Sequence, residues 1–300
     1  RPRLEHAANA FFEVRDDQLQ VAGRSITQVA GEVGSTPFYV YSREAMTRRF
    51  EQLRTAMPDA LNLHYAVKAN PMPLVVQHMS TLVDGLDVAS EGEMRIALDA
   101  GMPRERISFA GPGKRDAELA AAISAGITLN LESEGEMERA ARISHQTGQA
   151  ARVAVRVNPD FQLKTSGMKM GGGPQQFGVD AERVPQMLTR LGELELDFIG
   201  FHIFSGSQNL RAEAIIEAQQ NTLELAARLA EHAPSPVRKL NIGGGLGIPY
   251  FPGEVPIRLH PIGEALGAQI AQLGERLSEA TLMMELGRFL VGEAASTSRG

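Results

Sequence analysis

The chain contains no cysteine and no tryptophan, and aromatic residues make up only 5% of its 300 positions. Without cysteine, these residues form no disulfide, no thiolate metal site and no cysteine nucleophile. The seven histidines include no pair at the four-residue spacing of helical zinc sites, so we expect no metal. No apolar run reaches the roughly 18 residues of a membrane span, and no signal-like segment opens the chain, so the cytoplasm is the default location. The formal net charge of -6 disfavours nucleic acid or an anionic membrane as partner.

What the chain does contain is a regular alternation of apolar runs and helical patterns. Eight runs bounded by turn signals predict strands at 64–69, 86–90, 107–111, 128–131, 151–157, 198–204, 239–244 and 282–285. Apolar residues at three- and four-residue spacing predict helices at 43–56, 93–100, 116–125, 134–147, 182–191, 212–232 and 262–279. Gly101, Gly126 and Gly148 stand where helix C-terminal glycines belong. The alternation predicts an α/β fold, a closed (β/α)8 barrel of the TIM type, with an open doubly wound sheet as the alternative.

Chemically active residues follow these runs at the carboxyl ends, where barrels carry their active sites. Lys68 follows the first run. A lysine there is partly desolvated, which favours the neutral amine and Schiff-base chemistry. The alternative is a lysine that reaches the solvent at the barrel rim.

A glycine-rich turn at 243–245 follows the seventh run, and Gly287 follows the eighth. Backbone N–H groups in such a turn approach a phosphate without an intervening side chain, and barrels commonly bind phosphate after strands 7 and 8. Ser205 and Ser207 add hydroxyl donors after the sixth run, and a purely structural turn is the alternative. The sequence has neither a complete G-x-G-x-x-G nor a G-K-[ST], so it predicts no dinucleotide site and no P-loop.

Glu285 lies within the last apolar run, and a buried carboxylate needs a partner. That partner is either Arg288 or the protonated pyridine nitrogen of pyridoxal phosphate, which would keep the ring a strong electron sink. Arg156 alternates with buried valines and faces into the barrel, so both arginines suit a phosphate or a carboxylate. Alternatively, Arg156 forms a structural ion pair with Glu285 or Asp87. His202 is either a residue of the site or a core histidine whose hydrogen bonds are satisfied by the protein.

Five motifs in the same order resemble the fold-type III pyridoxal-phosphate decarboxylases, a group that includes diaminopimelate, ornithine and arginine decarboxylases. The motifs are Y-A-V-K-A-N-P at 65–71, G-L-D-V-A-S-E-G-E at 85–93, G-S-Q at 206–208, N-I-G-G-G-L-G at 241–247 and E-L-G-R-F at 285–289. The resemblance runs from residue 36 to residue 294. Residues 166–174 and 200–204 also resemble a subgroup associated with exosortase and exopolysaccharide gene clusters.

The resemblance implies a barrel of the alanine racemase type that decarboxylates diaminopimelate or another basic or diamino acid through an aldimine between Lys68 and pyridoxal 5'-phosphate. It implies that Glu285 meets the pyridine nitrogen, that the glycine-rich turn and Gly287 bind the phosphate, and that Asp87 lies near Lys68. The residues expected at the cofactor are Lys68, Asp87, Arg156, His202, Phe204, Ser207, Gly243, Gly244, Gly245, Glu285, Gly287 and Arg288.

The resemblance also divides the chain into parts. Residues 1–35, with one or two strands at 12–26, are expected to belong to a second, mostly β, domain, and residues 36–294 to the barrel. Residues 295–300 are expected to be a tail or the start of a C-terminal β domain of which most is missing, and their pattern does not resemble the strand expected there. A homodimer is expected of the full-length protein.

Two differences from the family keep other functions open. Phe204 stands where family members usually stack a histidine on the cofactor ring, and a phenyl ring stacks without donating a hydrogen bond. The chain also lacks the cysteine that the family's β domain supplies. A non-catalytic cofactor-binding barrel or regulator is therefore the alternative. Glu285 disfavours a racemase, because racemases of this kind pair the ring nitrogen with arginine.

Overall fold

In the computed structural model, which describes residues 11–161, 177–206 and 209–298, a small antiparallel sheet precedes the barrel. The elements ahead of the barrel are β1 (Val14–Arg15), β2 (Gln18–Val21), β3 (Arg24–Ser25), α1 (Ile26–Val33) and β4 (Phe38–Tyr41). Ser25 caps α1, because its hydroxyl accepts the N–H of Gln28 while the Gln28 side chain accepts the N–H of Ser25. Strands are thus present within the predicted range 12–26, and their membership of a second β domain stays a prediction.

Eight parallel strands close into a barrel. They are β5 (Asn62–Ala66), β6 (Gly85–Val88), β7 (Ile107–Phe109), β8 (Thr128–Leu131), β9 (Arg152–Asn158), β10 (Asp197–Ile203), β11 (Lys239–Asn241) and β12 (Thr281–Leu286). Each strand pairs with the next, and β12 returns to β5, where Glu285 lies opposite His64. A two-residue strand, Val179–Asp180, adds to the outer end of β9. The eight predicted strands are confirmed, and the closing pair excludes an open sheet.

Helices surround the barrel. They are α2 (Arg43–Ala56), α3 (Pro73–Ser80), α4 (Glu91–Asp99), α5 (Asp116–Ala125), α6 (Glu134–Thr147), α7 (Val184–Glu193), α8 (Ala212–Ala230) and α9 (Leu259–Ala271). The sequence did not predict α3, because its eight residues are too few to show a helical period. The helix predicted to continue to residue 279 ends at Ala271, ahead of Gly274 and a single 3-10 turn, Glu275–Leu277.

The sequence S-E-G-E-M occurs after β6 and again after β8, and it begins a helix both times. The hydroxyls of Ser90 and Ser133 each accept the N–H of the glutamate three residues on, at 3.1 Å. The predicted C-terminal glycines Gly101, Gly126 and Gly148 all have positive φ. These local signals fix the helices whose N-termini face the carboxyl ends of the strands.

The residues after β12 correct one expectation. α10 (Arg288–Val291) is followed by β13 (Ala295–Ser298), which pairs antiparallel with β4. The segment A-S-T-S has no apolar alternation, so its sequence did not predict a strand, but pairing with β4 uses backbone groups that every residue carries. None of the described helices combines the length and the apolar content needed to cross a bilayer.

The barrel interior is polar where the surrounding layer is apolar. Leu63, Leu86 and Leu129 are fully buried in the main hydrophobic cluster of the protein. The residue that follows each of these leucines is polar and buried, so alternate positions along the strands differ in polarity. Buried polar groups need partners, so these side chains are expected to form hydrogen bonds with one another inside the barrel.

Candidate active site

A cavity of about 760 Å³ opens at the carboxyl ends of the barrel strands. Ten of the residues predicted at the cofactor line it: Lys68, Asp87, Arg156, His202, Phe204, Gly244, Gly245, Glu285, Gly287 and Arg288. Gly243 adjoins the lining residues, and Ser207 lies outside the described residues. The fold thus brings together side chains from β5, β6, β9, β10 and β12.

Lys68 lies in a single 3-10 turn, Val67–Ala69, directly after β5. The hydroxyl of Tyr65 donates to the carbonyl of Asn70 at 2.9 Å, and the Asn70 side chain accepts the N–H of Met72 at 3.0 Å. These bonds hold the turn in place. The Lys68 side chain is exposed within the cavity, and its partial desolvation stays a prediction. The turn carries the side chain beyond the apolar part of the strand, where solvent enters the cavity.

Glu285 pairs with His202 rather than with Arg288. Glu285 Oε2 lies 3.2 Å from His202 Nε2. Burial raises the pKa of the Glu285 carboxyl, but the interaction with His202 and the charges of Lys68 and Arg156 outweigh it and hold the pKa well below its usual range. Glu285 is therefore ionised at neutral pH, the state that a protonated ring nitrogen requires. Arg288 Nη1 instead donates to the hydroxyl of Tyr250 at 2.7 Å.

His202 is buried, yet neither ring nitrogen makes a well-aligned hydrogen bond to another described residue. One ring nitrogen of His202 thus faces Glu285, and the other, Nδ1, has no partner among the described residues. Its ring bridges the barrel core and Glu285, and it has hydrogen-bonding capacity to spare.

Asp87 has one saturated oxygen and one unpaired oxygen. Its Oδ1 lies 3.0 Å from His64 Nδ1 and accepts from Ser108 Oγ at 2.7 Å. Its Oδ2 is buried without a partner among the described residues. The His64 ring fits here because residue 85 is glycine: a Cβ on Gly85 would lie 2.4 Å from His64 Cε1. Sequence analysis did not identify His64, whose position in the first run looked like part of the apolar pattern.

The glycine-rich turn leaves room for a group rich in oxygen acceptors. A Cβ on Gly244 would lie 2.0 Å from the carbonyl oxygen of Glu285, so only glycine fits there. The Gly243 N–H donates to Asn241 Oδ1 at 2.8 Å, and its carbonyl accepts the N–H of Glu285 at 3.0 Å. Within the described ranges, the N–H groups of Gly244 and Gly245 have no protein acceptor. A phosphate fits this turn, and with it pyridoxal phosphate fits the cavity.

Arg156 pairs with neither Glu285 nor Asp87 but with Glu132, at 3.2 Å between Nη1 and Oε1. Sequence analysis missed Glu132, although it directly follows the fourth predicted strand and the same rule that selected Lys68 applies to it. Its side chain is 3% exposed.

A second buried ion pair, between Lys114 and Glu136, lies next to Glu132. Lys114 Nζ donates to Glu136 Oε1 at 2.8 Å and to the carbonyls of Gly111 and Asn130. Burial lowers the pKa of Lys114 and raises that of Glu136, and their mutual attraction opposes both shifts. Neither residue could be singled out from the sequence, because only the fold brings the loop after β7 to α6. Among the described residues, no cluster of three or more histidine, aspartate or glutamate side chains has the geometry of a metal site.

The comparisons agree with this geometry. The family model of the pyridoxal-dependent decarboxylases, pyridoxal binding domain, matches residues 43–292. The chain is 37% identical over 289 residues to diaminopimelate decarboxylase of Aquifex aeolicus, covering 95% of this chain and 67% of that protein. It is 33% identical over 263 residues to L-glutamyl-[BtrI acyl-carrier protein] decarboxylase of Niallia circulans, covering 87% of this chain and 61% of that protein.

A solved structure shows the same architecture. The crystal structure of diaminopimelate decarboxylase from M. jannaschii superposes with a TM-score of 0.87 at 27% identity, over 96% of this chain and 68% of that one. The chain therefore spans about two thirds of the length of these relatives. From the match to the family model, and from a cavity whose residues suit its cofactor, we conclude that the chain belongs to the pyridoxal-dependent decarboxylase family, as its pyridoxal-binding domain.

Proposed function

We propose that the protein decarboxylates an amino acid with a second amino group, diaminopimelate or another basic or diamino acid, with pyridoxal phosphate bound to Lys68. The observation that carries the proposal is the meeting of Lys68, an ionised Glu285 and a glycine-rich turn in one cavity. When bound, pyridoxal phosphate supplies an electron sink for the pair left on the α-carbon as carbon dioxide departs.

The residues of the chain take separate roles in this proposal. The Lys68 amine, which lines the cavity, would hold the cofactor covalently. Glu285, which is ionised beside His202, would accept a hydrogen bond from the protonated ring nitrogen. The N–H groups of Gly244 and Gly245 donate to the phosphate. The phenyl ring of Phe204 offers a flat apolar face in the cavity wall.

Asp87 is a buried carboxylate that lines the cavity and has one unpaired oxygen. His64 and Ser108 fix one of its oxygens, and the unpaired Oδ2 is available to a cation or to an N–H donor. Because Ala66 and Asp87 lie side by side on β5 and β6, Asp87 stands beside the strand that carries Lys68. A carboxylate at this place would favour the ammonium form of the Lys68 amine.

Glu285 also separates this proposal from racemisation. A carboxylate at this place would keep a bound pyridine ring protonated and the sink strong, whereas racemases of this kind pair the ring nitrogen with arginine. Release of carbon dioxide without racemisation is the expected result. A protein that binds the cofactor but releases no carbon dioxide would instead be the non-catalytic alternative.

The name of the Niallia circulans relative suggests a second substrate class, an aminoacyl group carried on an acyl-carrier protein. A panel should therefore contain diaminopimelate, lysine, ornithine and arginine beside a glutamyl-carrier thioester. We further propose a cytoplasmic homodimer for the full-length protein. We also propose that residues 1–35 belong to a second β domain, that residues 36–294 form the cofactor-binding barrel, and that residues 295–300 are a tail or the start of a further β domain.

The first test is an absorbance titration with pyridoxal phosphate, followed by borohydride and peptide mapping. A visible band and a pyridoxyl group on Lys68 are expected, and both should be absent in Lys68→Ala. Lys239→Ala is the matched control, because Lys239 begins β11 at the opposite end of the barrel. Equal labelling of wild type and Lys68→Ala would reject the site, and labelling without carbon dioxide from any member of the panel would reject the activity.

A further inference from the structure

Glu132 connects three consecutive loops at the carboxyl end of the barrel. Its Oε1 accepts the N–H of Gly111, after β7, at 2.8 Å and Nη1 of Arg156, at the end of β9, at 3.2 Å. Its Oε2 accepts the N–H of Gly178 at 2.9 Å. Both oxygens of one buried carboxylate are therefore used on neighbouring segments that line the cavity.

Arg156 depends on this carboxylate for its position. The side-chain hydrogen bond to Glu132 is the one that Arg156 donates within the described part of the chain. Its guanidinium carbon lies 5.1 Å from the ring centre of Phe177 and 5.5 Å from that of Phe204, within cation–π range of both. Both rings line the cavity. Glu132 thus holds the cation, and the cation contacts two aromatic faces of the wall.

Glu132 is itself held in place from behind. Its backbone N–H donates to Glu136 Oε1 at 3.3 Å, and Glu136 is paired with Lys114. Because these groups are buried and hydrogen-bonded, the carboxylate of Glu132 is fixed before any ligand arrives. A group held in this way sets the geometry of the residues that it contacts.

We propose that Glu132 is a positioning residue of the active site, which holds Arg156 and Phe177 together with Phe204 as one prearranged wall of the cavity. Its effect on the cofactor and on turnover rests on the proposed function, whereas its effect on the wall rests on the geometry alone. The lowered pKa of Glu285, to which Arg156 contributes, agrees with a cation held in the cavity.

The absence of tryptophan from the chain allows a direct test of the wall. Phe177→Trp introduces a single indole, whose quenching by acrylamide measures its exposure without any cofactor. Adding Glu132→Gln keeps the side-chain shape but removes the charge, and at least a twofold rise in the quenching constant is expected. Glu138→Gln is the control, since Glu138 pairs with Arg190 at 2.7 Å on the exposed face of α6. Equal quenching in the two backgrounds would overturn the proposal.

The second measurement is the dissociation constant of pyridoxal phosphate, taken from absorbance with Phe177 intact. Glu132→Gln is expected to weaken binding about tenfold, the size expected for a lost charged hydrogen bond, and Glu138→Gln to leave it unchanged. A loss of affinity that only follows a loss of folded protein, measured by circular dichroism, would assign Glu132 a purely structural role and overturn the proposal.

A double-mutant cycle with Arg156→Gln decides whether Glu132 acts through Arg156. In that background, Glu132→Gln is expected to change cofactor binding by less than twofold, and fully additive effects would overturn the proposal. If Glu132→Gln does not fold, Glu132→Asp serves in its place, because it keeps the charge but shortens the reach to Gly178. If no variant and no wild type binds pyridoxal phosphate, the proposed function fails, while the fluorescence result still decides the role of Glu132.

Discussion

The loops after β5 and β7 each carry a lysine, and the two lysines differ in burial and in hydrogen bonding. Lys114, in the loop after β7, is buried, and each of its three donors has an acceptor. Lys68, in the turn after β5, is exposed at the cavity and makes no hydrogen bond or ion pair within the described residues. The difference separates a lysine that fixes the scaffold from one whose amine stays available for chemistry.

The largest predicted effect concerns the scaffold lysine. Lys114→Met leaves Glu136 as a buried carboxylate without its cation, which we expect to lower the free energy of unfolding by about 3–5 kcal/mol. Lys68→Met removes an exposed side chain and is expected to change it by less than about 0.5 kcal/mol. Urea unfolding of both variants, followed by circular dichroism, makes the comparison. Similar losses for the two lysines would refute the distinction.

A second variant removes both charges of the buried Lys114–Glu136 pair. In Lys114→Met combined with Glu136→Leu, no unpaired charge remains, so most of the lost free energy of unfolding, at least about 2 kcal/mol, should return. The same unfolding experiment measures it, with Lys114→Met as the reference. A double variant no more stable than Lys114→Met would show that the three hydrogen bonds, rather than the charge pair, hold the loop.

Asp87 lies between the two cases, because one of its oxygens is saturated and the other is unpaired. Asp87→Asn weakens the contacts to His64 and Ser108, and we expect a loss of about 1–3 kcal/mol in the free energy of unfolding. Ser108→Ala removes one of the two contacts and should cost less, about 1 kcal/mol. Thermal or urea unfolding that shows the reverse order would contradict the assignment of Oδ1 as the structural oxygen.

The smallest effect is the pH dependence that Glu285 contributes. Because the folded state holds the pKa of Glu285 below its usual value of 4.5, its contribution to stability is complete above pH 4.5 and is lost as the pH falls toward the folded-state pKa. We expect the difference in free energy of unfolding between wild type and Glu285→Gln to be largest at neutral pH and to shrink in more acidic solution. A difference that stays constant down to pH 3 would mean that Glu285 is not stabilised as the anion.

Much of the cavity could be predicted because local patterns and one topological rule were enough. Lys68, Glu285 and Gly244 each follow or end a short apolar run, and a barrel gathers the ends of its strands on one face. The partners of the charged groups could not be predicted in the same way. Glu132 and Arg156 are 24 positions apart in the chain. Their contact depends on the pairing of β8 with β9.

The amino-acid sequence by itself determined the eight strands, most of the helices with their serine and glycine caps, and ten of the residues that line the cavity. These follow from hydrophobic period, capping and glycine content, which act over a few neighbouring residues. Only the tertiary structure decided that His202 pairs with Glu285, that Glu132 holds Arg156, that Lys68 is exposed and that residues 295–298 pair with β4. The physical reason is that ion pairs, burial and strand pairing depend on distances between atoms far apart along the chain, and closure of the barrel sets those distances.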